Sequence, residues 1–276
     1  MLEFLGMVSD MKGFVRFGRL LVQQRYLIFS MARREIDEQY VGSLLGFIWT
    51  FIKPLVMISV FWFVFSVGFK SKPMGDVPFV VWLTSGMAPW FFFSETLMAS
   101  TGAVVGNAPL IKKTVFPSQI LPVVKLLSGL VTHGVFLSIL FGLLFLQQIN
   151  VGFHVVQFFY YLFCLSVLTL GLSWIFAALN VFLRDVGQII ALVLQVGFWA
   201  TPIFWDISMM SPKVQQWLKI NPVYYVVQGY RESFITFVPF WYHFKYTLYF
   251  WFFTGVVFFV GAYVFRKLKP QFADVL

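Results

Sequence analysis

Charge is what this chain most lacks. Only 11% of its 276 residues are Asp, Glu, Lys or Arg, against roughly 25% in a soluble domain. Hydrophobic residues make up 60% and aromatics 21%, more apolar surface than one water-facing core can hide. Lipid is therefore the expected solvent. The single cysteine, Cys164, excludes an intrachain disulfide, and its place inside an apolar run suits helix packing. The histidines His133, His154 and His243 stand far apart, with no H-x-x-x-H or Cys/His pair, so no metal site is expected. There is no G-x-x-x-x-G-K-[ST] phosphate loop, no G-x-G-x-x-G fingerprint and no G-x-S-x-G elbow. Motor, dinucleotide and hydrolase chemistry thus have no basis in the sequence. The n-region, h-region and cleavage site of a signal peptide are missing as well, so insertion by the first membrane helix is expected.

What is present is a series of long apolar runs, at roughly 50–69, 79–102, 120–146, 153–180, 187–205 and 246–265. None alternates as a barrel strand would, and each approaches the ~20 residues a helix needs to cross a bilayer. The pattern predicts an all-α integral membrane protein with six transmembrane helices. It forms a single domain overall: an N-terminal segment 1–45 and a six-helix region 46–276. The net charge of +9 points to orientation before nucleic acid. With the N-terminus inside, the inner segments carry thirteen Lys/Arg and the outer segments five, Lys70, Lys72, Lys213, Lys219 and Arg231. That asymmetry predicts both termini in the cytoplasm. Lys125 and Lys245 lie near helix ends, where long side chains reach the interface.

Two regions are neither simple loops nor simple spans. In 14–45, Phe14, Phe17, Leu20 and Leu21 oppose Arg16, Arg19 and Gln23 at helical spacing, which predicts an amphipathic helix lying in the cytoplasmic interface. The segment 206–244 is too long and apolar for an ordinary outer loop, and is cut by Pro212, Pro222 and Pro239. It predicts two short re-entrant outer helices between helices five and six. One begins at Asn221, a good N-cap, followed by Pro222 in the first turn. Irregular backbone at membrane depth persists only against protein or a watery cavity, so this helix is expected to face an aqueous vestibule.

Ionisable groups inside the spans are few. Glu95 is expected either to meet a cation or pore, or to satisfy a helix break after Pro89. His133 reads as a packed, hydrogen-bonded residue before it reads as a proton relay.

Several strings, taken together and in order, resemble one family. "RREIDEQYVGSLLGFIWTFIKPLVMISVFWFVFS" (33–66), with Arg34, Glu35, Tyr40, Gly46, Trp49 and Pro54, is similar to the start of type-2 ABC exporter permeases for cell-surface polysaccharide: O-antigen, capsule or teichoic acid. "GMAPWFFFSETL" (86–97), "NAPLIKKTVFPSQILPV" (107–123), "ALNVFLRDVGQII" (178–190) and "TPIFW" (201–205) match later landmarks of that family. The resemblance implies a homodimer of six-helix subunits in the bacterial cytoplasmic (inner) membrane. It implies two copies of a separate ATP-binding subunit, so that ATP and Mg belong to the partner and no cofactor to this chain. The cargo implied is a lipid-linked glycan.

Under that resemblance, force enters through rigid charged elements on the inner face. The coupling candidates are Arg33, Arg34, Glu35, Lys112, Lys113, Arg184 and Asp185. Aromatic rings hold sugars loosely by their C–H faces, so the channel candidates are Trp62, Trp90, Phe91, Tyr224, Tyr225, Gln228, Tyr230 and Arg231. Tyr224, Gln228 and Arg231 share a helix face at i, i+4, i+7. Arg231 is open to an anionic ligand, to Glu232 or to a lipid headgroup. A drug or lipid cargo, and an ion-coupled secondary transporter, stand as alternatives.

Overall fold

The computed structural model describes residues 17–70 and 77–276; Phe14, Arg16 and Lys72 lie outside the described residues. After helical residues 17–23 come α1 (Arg25–Glu38), α2 (Trp49–Trp62, running on through a π-helical Phe63–Gly68), α3 (Phe79–Thr101) and the short α4 (Ala108–Lys113). These are followed by α5 (Leu121–Leu146), α6 (Phe158–Phe182), α7 (Asp185–Ala200), α8 (Pro212–Leu218), α9 (Pro222–Arg231), α10 (Phe244–Leu268) and α11 (Phe272–Val275). Among the described residues there is no strand, as the absence of alternation predicts.

Four helical stretches are long and apolar enough to cross a membrane: Gly46–Gly68, Ser118–Leu146, Phe153–Phe182 and Phe240–Val275. The other two predicted runs differ from these for physical reasons. α3 has the length, 23 residues, but carries Thr84, Ser85, Glu95, Thr96 and Ser100. It can do so because α2, α5, α6, α7 and α9 surround it, and most of its residues are buried against protein. Thr84 and Ser85 satisfy their hydroxyls on their own helix, donating to the carbonyls of Val80 (2.7 Å) and Trp82 (2.8 Å). The break expected after Pro89 is absent; α3 runs through the proline unbroken.

α7 has 16 residues, about 24 Å of helix. It stops at Ala200 and not near 205 as the apolar run predicts. Thr201 is extended (φ −81°, ψ 131°) because Pro202 follows it and disfavours the helical conformation before a proline.

Helix contacts rely on small residues where backbones approach, as expected without a hydrophobic drive between helices in lipid. α10 packs chiefly on α6. A Cβ on Gly261 would run into the carbonyl of Gly171, and one on Gly171 would lie 2.9 Å from the Cα of Phe258. α9 is wedged among α3, α6 and α10, with Gly229 pressed on the ring of Tyr161 so closely that no side chain fits. Its start follows the expected cap: the Asn221 side chain accepts from the Val223 amide (3.0 Å) and donates to Thr201 Oγ1 (3.0 Å). α1 docks by Ile28 and Ala32 against Ile120 and Val124. Phe17, Leu20 and Leu21 are partly covered while Arg19 and Gln23 are exposed, the predicted two-faced pattern.

Candidate functional site

Charged groups concentrate at two places, one at each end of the bundle. The first is the end that carries α1, α4 and α11. α4 links α3 to α5, and its exposed side offers Pro109, Lys112, Lys113, Thr114 and Val115. Its inner side holds Ile111 and, just beyond it, Phe116 in a cluster with Ala103, Trp174 and Phe272. Phe272 is fully buried and brings α11 onto α4. Nearby, Lys269 bonds the Gln119 side chain, and Trp174 Nε1 donates to the Gln119 carbonyl at 3.1 Å. The short helix is thus held by its apolar side and free on its basic one.

Along α1, Arg33 faces Asp37 (3.9 Å) and Arg34 faces Glu38 (2.6 Å), all four exposed. Solvent screens such exposed pairs, and they add little to stability. Glu35 turns the other way and pairs with Lys125 of α5, both largely covered. Of the coupling candidates on α1, then, Arg33 and Arg34 are displayed and Glu35 anchors the helix. Lys125, expected to reach for the interface, is spent on that anchor. Arg184 and Asp185 are exposed at the turn into α7. Asn180 fixes the turn by donating to the Thr101 carbonyl (3.1 Å) and accepting from the Gly187 amide (3.2 Å).

The second place lies at the opposite end, where α9 meets the first turns of α10 around a cavity of about 230 Å³. Its walls are Tyr224, Tyr225, Tyr246 and Tyr249. Polar groups close its floor: Glu232 accepts from Gln228 Nε2 (3.2 Å) and faces His243 Nε2 (3.2 Å). Lys219 stands at the lip, its ammonium 5.8 Å from the Tyr246 ring centre. The walls are fixed from behind. Tyr225 shares its hydroxyl with Thr247 (2.9 Å) and Tyr160 (3.3 Å) and stacks on Phe250 at 4.9 Å. Tyr249 donates to the Ile220 carbonyl at 2.8 Å.

Of the channel candidates, Tyr224, Tyr225 and Gln228 come together here. Arg231 does not join them. It is 5% exposed, its guanidinium 3.6 Å over the Trp82 ring and donating to the Ile203 carbonyl at 2.7 Å, while its Nε has no acceptor among the described residues. Glu232, one residue on and i+8 from Tyr224, takes the place on the cavity face. That i, i+4, i+8 register was available in the sequence. The approach of His243, Tyr246 and Lys219 from other elements had no local signal.

Tyr230 is fully buried, bonded to His133 Nε2 (3.0 Å), while His133 Nδ1 lies 3.3 Å from the Ala88 carbonyl. His133 is therefore the packed, bonded histidine that was expected first. Trp90 fills the space above Gly197, where a Cβ would come within 2.9 Å of the ring, and Phe91 stacks on Phe136 at 5.3 Å. Trp62 is 41% exposed, on the thinly covered α2. Glu95 is exposed on α3, with Lys53 the nearby cation.

A helical bundle with several apolar spans, an exposed basic rim and no motor motif of its own is the build of a membrane transport subunit. Residues 26–235 match the family model described as ABC-2 type transporter, and the chain belongs to that family. It is 30% identical over 222 residues to the O-antigen export system permease protein RfbA of Myxococcus xanthus, covering 80% of this chain and 84% of that one. It is 28% identical to the protein of the same name from Klebsiella pneumoniae, covering 91% and 95%. The polysialic acid transport protein KpsM of Escherichia coli is 23% identical over 76% of this chain and 81% of its own length.

Proposed function

We propose that this chain is the permease subunit of an ATP-driven exporter that carries lipid-linked polysaccharide across the cytoplasmic membrane of a bacterium. The observation that carries the reading is the near full-length similarity to polysaccharide export permeases. In this reading the chain crosses six times: α2, α3, α5, α6, α7 and α10. α3 is shielded by its neighbours, and the short α7 is completed by the extended turn after it. α8 and α9 re-enter from the outer side, and both termini stay inside. The basic rim supports that orientation, since Lys and Arg gather on the cytoplasmic face.

Two copies of the chain assemble with two copies of a separate ATP-binding subunit, which holds the ATP and Mg. α2 and α7 leave broad apolar faces uncovered, Val60, Val64, Leu192 and Val196 among them, as a second copy would require. The exposed Glu95, Gln188 and Gln195 then supply polar groups to a passage between the copies. Lys112 and Lys113 on α4, with Arg33, Arg34, Arg184 and Asp185 around them, receive the stroke of the partner. α4 suits that role because it is short, rigidly backed and displayed.

The test is deletion of the chain in its host. Surface polysaccharide should vanish, with lipid-linked glycan accumulating inside, and return on complementation. Unchanged surface glycan, with altered drug tolerance or lipid content in its place, would move the cargo to those classes. Pairing is read by disulfide trapping on α2 in a Cys164→Ser background, since Cys164 is the sole native thiol.

A further inference from the structure

The cavity between α9 and α10 is lined by residues of one chain alone. We propose that it is a binding site for one sugar residue of the outgoing glycan, present once per subunit. The inference rests on the polysaccharide reading and adds a place where the chain is held.

Size comes first. At about 230 Å³ the space falls below the ~300–1,000 Å³ typical of drug-sized ligands, a size that suits a single small ring. Chemistry narrows the class. Tyr224 and Tyr246 offer flat apolar faces for the C–H side of a pyranose. Hydroxyls of the ring find a charged acceptor in the Glu232 carboxylate and a neutral one in the Gln228 carbonyl; bonds to a charged acceptor are the stronger kind. The same lining supplies donors: the Lys219 ammonium, which lies over the Tyr246 ring, and the phenols of Tyr224 and Tyr246. A lipid acyl chain would leave the Lys219 ammonium, the Gln228 carbonyl and the Tyr224 and Tyr246 phenols that line the cavity without partners, at about 1–3 kcal/mol for each hydrogen bond left unmade. A phosphate would meet the Glu232 carboxylate at the floor. A hydroxylated ring satisfies both sets of groups at once.

The site is also prepared in advance. Tyr225 and Tyr249 are hydrogen-bonded from behind, and Glu232 is held by Gln228 and His243. Little side-chain freedom remains to be lost on binding. With one ring as its whole contact, the hold is weak and releases readily, as a site must if a polymer is to advance through it unit by unit.

The experiment is saturation-transfer NMR on the complete transporter in nanodiscs, with the host's own surface polysaccharide, cleaved from its lipid, as the probe. Wild type should saturate the sugar ring protons. Tyr246→Ala should lower that signal about tenfold, the loss of one stacking face, and Tyr246→Phe should keep most of it. Trp241→Ala, an exposed aromatic outside the cavity, should match wild type. Thermal unfolding checks that each variant is folded, and Glu232→Gln, close in shape, repeats the test at the floor. Undiminished signal in both Tyr246→Ala and Glu232→Gln overturns the assignment, and so does displacement of the glycan by lyso-phosphatidylglycerol, which would mark a headgroup site. If the host keeps its surface glycan without this chain, it is the exporter reading that fails, whatever the cavity binds.

Discussion

The two ends of the bundle use charge in opposite ways. At the end with α4, Arg33, Arg34, Lys112, Lys113 and Arg184 stand in the open. At the other end Arg231 and Glu232, adjacent in sequence, are 5% and 4% exposed and held by partners within the protein. Burying a charge is costly unless partners replace its water. Arg231 therefore stacks on Trp82 and bonds Ile203, while Glu232 gathers Gln228 and His243. Buried charge fixes how α9 is seated, whereas exposed charge, even where Arg33 and Arg34 face Asp37 and Glu38, stays within reach of something outside the chain. Substitutions of the buried charges should thus change stability, and substitutions of the exposed basic ones function alone.

The largest stability effect is expected at Arg231. Arg231→Ala removes the guanidinium from Trp82 and orphans the Ile203 carbonyl, costing about 2–4 kcal/mol, read as a lower unfolding temperature of purified protein in detergent. Next is the covered Glu35–Lys125 pair at the basic end. Glu35→Ala strands Lys125 and should cost about 1–3 kcal/mol, and Glu35→Leu with Lys125→Met should recover most of it. An equal loss in the double variant would contradict the pairing. Asn221→Ala, which removes the cap of α9, should cost about 1 kcal/mol. The smallest shift belongs to Lys112→Glu with Lys113→Glu, within about 0.5 kcal/mol of wild type. That variant should nevertheless lower export at least about tenfold while ATP hydrolysis by the partner continues. Loss of stability there, or normal export, would break the contrast between the two ends.

The bundle was legible in the sequence because its main signal is local: apolar runs bounded by charge and proline. The Asn221 cap and the two-faced α1 were legible for the same reason. Errors arose where one local cue competed with another. "TPIFW" is apolar and extended the fifth run on paper, but Pro202 ends the helix at Ala200. Pro89 looked like a break, yet α3 is clasped on enough sides to carry it. The cavity was half legible. Tyr224, Tyr225 and Gln228 could be chosen from one amphipathic helix, but the choice of Arg231 over Glu232 turned on where Trp82 lies, about 150 residues earlier in the chain. Lys125 and Glu35, 90 residues apart, carry no spacing signal at all.

Under the proposed function the chain is a conduit whose energy arrives from a separate nucleotide-hydrolysing subunit at the basic rim. The most direct test is transport of the host's lipid-linked glycan in proteoliposomes, with this chain reconstituted alone or with its ATP-binding partner. No movement is expected from the chain alone, under any proton or sodium gradient, and movement should begin only when partner and ATP are both supplied. Gradient-driven transport by the chain alone would contradict the proposed function.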